Sequence, residues 1–127
     1  MKILVVEDNT MNLELATDLL EAAGHLVLAA TSAEAGIERA RREQPDLILM
    51  DISLPGMDGL AATRALKAEA VTRHIPVVAL TAHAMQGDEQ LALDAGCLAY
   101  LTKPIDTRGF IHRMETLLAE SKPRPVP

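Results

Sequence analysis

The stretch Leu47–Gly59, which reads LILMDISLPGMDG, combines a short apolar run, an acidic residue at the end of that run and a turn. The apolar run shows no alternation with polar residues, as expected of a strand that is buried on both faces of a parallel sheet. The Pro-Gly and Asp-Gly pairs that follow are typical of turns. The stretch therefore predicts a buried parallel strand with Asp51 at its carboxyl end.

Four other apolar runs have a similar length and also lack polar alternation, and we expect each of them to be buried on both faces. They are Ile3–Val6, Leu26–Ala30, Val77–Leu80 and Leu98–Leu101. Helix signals occupy the intervening segments, at about 11–23, between Thr31 and Pro45, at about 58–70 and 85–95, and from Asp106 to Pro123. Gly87 lies near the start of the fourth helix and disfavours helix there, so this helix start is the weakest of the five predicted ones. The order βαβαβαβαβα predicts an α/β fold with helices on both faces of a parallel sheet.

The composition indicates one domain with an aliphatic core. The chain has 127 residues, 49% of them apolar, and only Tyr100 and Phe110 are aromatic. A length of roughly 100–200 residues is typical of one domain. The net charge of −6 argues against a nucleic acid or an anionic membrane as partner, because both require a basic patch.

Cys97 is the only cysteine, which excludes an internal disulfide and favours a small buried side chain. The apolar start Ile3–Val6 is shorter than the ~7–15 residues of a secretory signal, and Glu7 and Asp8 end it. No run approaches the ~18–20 apolar residues of a membrane span. We therefore expect a soluble, cytoplasmic chain.

Chemistry-bearing residues follow four of the five predicted strands. Because the carboxyl ends of parallel strands lie at the same edge of a sheet, we expect these residues to share one pocket. Each alone has a structural interpretation as a cap, a turn residue or a solvated charge, and it is their combination that points to a site. They are Glu7 and Asp8 after the first strand, Asp51 after the third, Thr81 after the fourth and Lys103 after the fifth.

Three clustered carboxylates repel one another, and a divalent cation removes this conflict. Mg²⁺ suits such hard oxygen ligands, keeps several waters and usually pairs with a phosphate. Lys103 adds a positive charge for an anion. Since carboxylates form aspartyl-phosphate intermediates, the set predicts phosphoryl transfer to a carboxylate.

Other chemistries lack their motifs. No Gly-x4-Gly-Lys-Ser/Thr or Gly-x-Gly-x-x-Gly loop supports nucleotide binding, and no Gly-x-Ser-x-Gly elbow supports a serine nucleophile. The histidines show no metal-ligand spacing; they are His25, His74, His83 and His112.

Over residues 2 to about 119 the sequence resembles the receiver domain of bacterial two-component response regulators, the CheY-like family. Four motifs carry the resemblance: VVEDN at 5–9, LMDISLPGMDG at 49–59, ALTA at 79–82 and YLTKP at 100–104. The stretch ALTAHAM at 79–85 and the ending TKPI at 102–105 are most similar to stand-alone receivers and to receivers of hybrid sensor kinases.

The resemblance implies a flavodoxin-like, doubly wound (βα)5 fold with five parallel strands in the order 2-1-3-4-5. It implies that Asp51 is the phosphoacceptor, that Thr81 and Lys103 bind the phosphoryl group, and that Tyr100 is a switch aromatic that moves with Thr81. The implied Mg²⁺ ligands are Glu7, Asp8, Asp51 and the backbone carbonyl of Ser53. Ser53 and His83 depart from the commonest family pattern, and the resemblance implies that they modulate dephosphorylation.

The function implied by the resemblance is a switch in a phosphorelay rather than an enzyme that turns over a free substrate. Asp51 would take the phosphoryl group from a phosphohistidine on a sensor histidine kinase or a histidine phosphotransfer protein. The face formed by the fourth helix, fifth strand and fifth helix would then bind an unknown downstream protein. We expect a monomer, and the sequence is compatible with a weak dimer through that face.

Three alternatives remain at this level. A degenerate receiver would bind partners without phosphorylation. A haloacid-dehalogenase-type phosphatase would also use an aspartate, but it usually carries Asp-x-Asp after the first strand, where this chain has Glu7-Asp8-Asn9. A flavodoxin-like cofactor site is the weakest, because a phosphate-binding loop and aromatic residues are missing.

The end of the chain differs from the rest. Residues 121–127 contain three prolines and no apolar pattern, so we expect a receiver domain over residues 1–120 followed by a Pro-rich tail or linker stub. The chain is then either a single-domain regulator or a domain of a longer protein.

Overall fold

The computed structural model describes residues 1–52, 58–81, 88–102 and 109–121. In these ranges strands and helices alternate along the chain. The strands are β1 (Lys2–Val6), β2 (Leu26–Ala30), β3 (Leu47–Asp51), β4 (Val77–Thr81) and β5 (Ala99–Thr102). The helices are α1 (Thr10–Ala22), α2 (Ala33–Glu43), α3 (Gly59–Ala68), α4 (Asp88–Ala95) and α5 (Gly109–Ser121).

All five strands are parallel and lie in the order β2-β1-β3-β4-β5. This order confirms the predicted α/β fold. The register pairs Val6 with Met50 and Asp51 with Leu80, so β1, β3 and β4 end at nearly the same level. The residues that follow these strands are thereby brought to one edge of the sheet.

The two faces of the sheet are covered by different helices. Helices α1 and α5 pack on one face, through Ala16, Leu20, Phe110, Met114 and Leu117. Helices α2, α3 and α4 pack on the other, through Ala33, Ile37, Ala40, Ala62, Leu66 and Ala92. Side chains alternate between these faces along each strand, which explains why the central strands are apolar throughout.

The prediction that every strand is buried on both faces is wrong for the edge strands. β1 is almost entirely buried, and β3 and β4 are entirely so. In β2, however, Leu26 is 60% exposed, and every described residue of β5 retains some exposure. The cause is the strand order, which places β2 and β5 at the edges with a neighbouring strand on one side only.

Polar side chains cap the starts of three helices. Asn9, Ser32 and Asp58 each accept a hydrogen bond from the backbone N–H three residues later. This is the usual way to satisfy an N–H group that has no partner within a helix. Gly87 lies outside the described residues, so its predicted effect on α4 is not tested. Of the helices in the described ranges, none is long and apolar enough to span a membrane.

Candidate functional site

Three carboxylates meet at the carboxyl edge of the sheet, as the sequence predicts. Glu7, Asp8 and Asp51 each contribute one oxygen atom to a group in which all three atoms lie within 4.8 Å of one another. Glu7 directly follows β1, and its backbone N–H donates to Ala30 O of β2 at 3.0 Å. Asp51 is the last residue of β3. The sheet itself therefore fixes the backbone of two of the three acids.

The burial of the three carboxylates differs in a way that suits a hydrated cation. Glu7 and Asp51 are only 1% and 2% exposed, whereas Asp8 is exposed. Buried carboxylates need nearby positive charge or hydrogen-bond donors, and a cation bound by all three would supply this charge. Asp8 keeps the group in contact with water, and Mg²⁺ in proteins usually keeps several of its waters. The donor set thus fits Mg²⁺.

The first turn of α1 reaches the acidic group. The side-chain amide of Asn12 donates to Glu7 Oε1 at 2.8 Å. The backbone N–H of Asn12 donates to Asn9 Oδ1, the cap of the same helix, at 3.0 Å. Sequence reasoning missed Asn12; the available signal was an amide side chain in the first turn of the helix that follows Glu7 and Asp8.

The end of β3 lies close to the start of α3. Ile52 N–H donates to Leu80 O at 3.0 Å, which extends the β3–β4 ladder past Asp51. A β-carbon at Gly59 would lie only 2.6 Å from the Cα of Ile52 and would overlap the Asp51 carbonyl group. The absence of a side chain at Gly59 is what allows α3 to start here.

Two further side chains link the start of α3 to the segment before β5. The Thr63 hydroxyl donates to Gly59 O at 2.8 Å, and the Cys97 thiol donates to the Thr63 hydroxyl at 3.9 Å. Burial raises the pKa of the Cys97 thiol. Cys97 is 6% exposed, which confirms the predicted small buried side chain.

Lys67, near the end of α3, contacts Gly96 and the segment before β4. Its side chain covers Gly96, and its Nζ donates to Ile75 O at 2.6 Å and to Arg73 O at 3.2 Å. Burial lowers the pKa of its ammonium group. Lys67 thus closes the end of α3 against the loop before β4.

Thr81 and Tyr100 lie on neighbouring strands. Thr81 ends β4 and is 3% exposed. Tyr100 pairs in register with Ala79, two residues before Thr81, and is partly buried against the core on the α2–α4 face. Because residues two apart on a strand share a face, Thr81 and Tyr100 lie on the same side of the sheet.

Three predicted site residues, Ser53, His83 and Lys103, lie outside the described residues. Of the predicted set, the structure brings together Glu7, Asp8 and Asp51 and places Thr81 at the same edge.

Comparisons with known proteins agree on the family. The model of the response regulator receiver domain matches residues 3–115. The polar-differentiation response regulator DivK of Brucella ovis is 44% identical over 119 residues, which cover 94% of this chain and 97% of that protein. DivK of Brucella anthropi is 43% identical over the same length.

Solved structures are also similar to this one. The receiver domain of the sensor histidine kinase PA1611 from Pseudomonas aeruginosa, with a magnesium ion coordinated in its active-site cleft, superposes with a TM-score of 0.85 and 36% identity. The match covers 93% of this chain and 97% of that chain. A CheY-like receiver domain protein from Methanospirillum hungatei superposes with a TM-score of 0.85 and 30% identity, covering 94% of both chains. The chain therefore belongs to the response regulator receiver family of two-component signalling.

Proposed function

We propose that Asp51 accepts a phosphoryl group from a phosphohistidine on a sensor histidine kinase or a histidine phosphotransfer protein. The convergence of Glu7, Asp8 and Asp51 at one edge of the sheet carries this proposal. Asp51 ends a central strand that has a neighbouring strand on each side, so the backbone that carries its carboxylate is held in a fixed place. A fixed nucleophile is what phosphoryl transfer requires, because that reaction depends mainly on positioning and charge neutralisation.

In the proposed reaction an oxygen of Asp51 attacks the phosphorus atom, a P–O bond forms and the P–N bond to the imidazole breaks. The bonding electrons leave with the imidazole nitrogen. When bound, Mg²⁺ supplies positive charge to the phosphoryl oxygens. Glu7, Asp8 and Asp51 would hold it, together with the carbonyl of Ser53. Thr81 and Lys103 would bind the transferred group.

A receiver domain is a signalling module and not a classical enzyme, so we propose that the chain catalyses only its own phosphorylation and slow dephosphorylation. Ser53 and His83 are proposed to modulate the second step. A downstream protein would recognise the changed face of α4, β5 and α5. We propose residues 1–120 as the receiver domain and residues 121–127 as a tail or linker stub.

The test is intact mass after incubation with acetyl phosphate and Mg²⁺. We expect one phosphoryl group on the wild type and none on Asp51→Ala. Asp46→Asn is a matched control, because Asp46 is an exposed acid at the opposite end of β3 and Asn retains an oxygen that can accept the hydrogen bond from Lys2 N–H. It should be phosphorylated like the wild type.

The mass measurement and an assay of phosphate-ester hydrolysis distinguish the alternatives. A folded wild type that gains no mass with Mg²⁺ present would indicate a degenerate receiver that binds partners without phosphorylation. Continuous hydrolysis of a small phosphate ester would indicate a phosphatase. Membership of the receiver family favours the phosphoacceptor over both the phosphatase and a flavodoxin-like cofactor protein.

A further inference from the structure

We propose that Asn12 is a positioning residue that orients the Glu7 carboxylate for a divalent cation, an inference that rests on the proposed metal site. The observation is the hydrogen bond from Asn12 Nδ2 to Glu7 Oε1, at 2.8 Å. Glu7 is 1% exposed. The contact therefore acts on a carboxylate that is almost completely removed from water.

The direction of Glu7 explains why α1 supplies the contact. Val6 points to the α2–α4 face of the sheet, since it packs with that core. Side chains alternate along a strand, so Glu7, the next residue, is directed towards the face on which α1 packs. The first turn of α1 lies on this side and presents the amide donor of Asn12 to it.

Asn12 is itself held at two points, which makes it suitable for orienting a neighbour. Its backbone N–H is fixed by the Asn9 cap at 3.0 Å, and its side chain is half-buried. Few rotamers remain when the amide also binds Glu7. A donor that is already ordered fixes the carboxylate without a further loss of side-chain entropy.

The chemistry of the amide matters as much as its position. A carboxylate offers about four lone-pair sites on two oxygens, so a single donor at Oε1 does not use up its capacity to bind a cation. Asn12 is neutral and does not repel a cation as a lysine or an arginine would. Donors of this kind around ligating carboxylates typically contribute about 10–100-fold to metal affinity.

The experiment is calorimetric titration of the full chain with Mg²⁺ alone, without phosphodonor, for the wild type, Asn12→Ala and Asn9→Ala. Asn9→Ala is the matched control, because it weakens the same helix start but retains the Asn12 amide. The stability of each variant is measured by urea unfolding in the presence of a chelator. We expect about 10-fold weaker Mg²⁺ binding for Asn12→Ala and a clearly smaller loss for Asn9→Ala, which loosens the backbone of Asn12 but keeps its amide.

A rescue variant adds a test that does not depend on loss alone. In Glu7→Asp the carboxylate is one methylene shorter and should lose contact with Asn12. Adding Asn12→Gln lengthens the amide side chain by one methylene and should restore the contact. The double variant should therefore bind Mg²⁺ more tightly than Glu7→Asp alone.

The outcomes separate this inference from the proposed function. Equal Mg²⁺ affinity in the wild type and Asn12→Ala would overturn the positioning role while the metal site stands. An equal loss in Asn12→Ala and Asn9→Ala would also overturn it, because helix stability would then account for both. Wild-type protein that binds no Mg²⁺ but still gains a phosphoryl group would overturn the metal site and the role of Asn12, and would leave Asp51 as the acceptor.

Discussion

Gly59, the first residue of α3, lies directly against the backbone of Asp51. A β-carbon at this position would overlap the Asp51 carbonyl group and would lie 2.6 Å from the Cα of Ile52. Neither of these neighbours is a flexible side chain that could move aside. The close approach of α3 to the backbone of Asp51 therefore depends on the lack of a side chain at Gly59, eight positions further along the chain.

We predict that Gly59→Ala destabilises the protein by about 1–3 kcal/mol, the usual cost of overpacking. It should also slow phosphorylation, because α3 can accommodate the methyl group only by moving away from Asp51. Urea unfolding measures the first effect and the rate of mass gain with acetyl phosphate measures the second.

Gly36→Ala is the control for this prediction. Gly36 is also in a helix, but its added methyl group would meet only the side chain of Val6, the nearest atom at 2.7 Å. We expect a change in stability with an unchanged rate of phosphorylation. If Gly59→Ala were phosphorylated as fast as Gly36→Ala, the close approach of Gly59 to Asp51 would have no role in phosphorylation.

The sequence predicted the strands well because burial on two faces leaves long apolar runs. All five runs match their strands to within one residue at each end, and the largest difference is in β5, where both ends are shifted, from Leu98–Leu101 to Ala99–Thr102. What apolar runs do not report is which strand lies at an edge, so the exposure of Leu26 was not foreseen.

The acidic group was predictable for a different reason. Parallel strands bring their carboxyl ends to one edge, so Glu7, Asp8 and Asp51 could be placed together without knowing any distance. The amide in the first turn of α1 made Asn12 a candidate partner, but strand order could not place it against Glu7, because that contact depends on the rotation of α1 about its axis. The register between a helix and a sheet is set by packing and is not visible as a local pattern.

Phosphorylation should change the environment of Tyr100 if this residue is the switch aromatic. Tyr100 is the only tyrosine and the chain has no tryptophan, so intrinsic fluorescence reports on this one ring. Tyr100 is now partly buried beside Ala79. We predict that acetyl phosphate with Mg²⁺ reduces quenching of this fluorescence by acrylamide, because the ring moves inward.

Asp51→Ala is the control for this experiment, since it should show no change under the same conditions. Unchanged quenching in a wild type that is phosphorylated, as judged by its mass, would contradict the switch role. Tyr100→Ala should then bind a phosphorylation-dependent partner as the wild type does.

The ion pair between Arg41 and Glu69 should make the stability of the protein depend on pH in the acidic range. Arg41 in the last turn of α2 binds Glu69, the residue that caps α3, and this hydrogen bond lowers the pKa of the Glu69 carboxyl. A carboxyl whose pKa is lower in the folded state contributes stability above its ordinary pKa of 4.5, and this is lost as the pH falls through the folded pKa.

We therefore predict that Glu69→Gln is less stable than the wild type at neutral pH. This difference should shrink as the pH falls below 4.5 and should vanish once the pH is below the lowered pKa of the folded state. Urea midpoints at successive pH values measure this. Because the pair is at the surface, the difference should also shrink in high salt. A difference that stayed constant with pH and salt would indicate loss of packing rather than of charge.

The Cys97 thiol should produce the opposite dependence at alkaline pH. Burial raises its pKa above the ordinary value of 9.0, so between 9.0 and the raised pKa the folded chain holds a proton that the unfolded chain has lost. The wild type should therefore lose stability in this range relative to Cys97→Ala, which has no such group. At neutral pH the wild type should be more stable than Cys97→Ala by about 1 kcal/mol, because Ala buries one heavy atom less. Lys67, the charged neighbour whose pKa burial lowers, is present in both proteins, so its own titration largely cancels in the difference. Urea unfolding at neutral pH and at steps above pH 9.0 measures both effects, and curves that stay parallel throughout would mean that the thiol is no more buried in the folded chain than in the unfolded one.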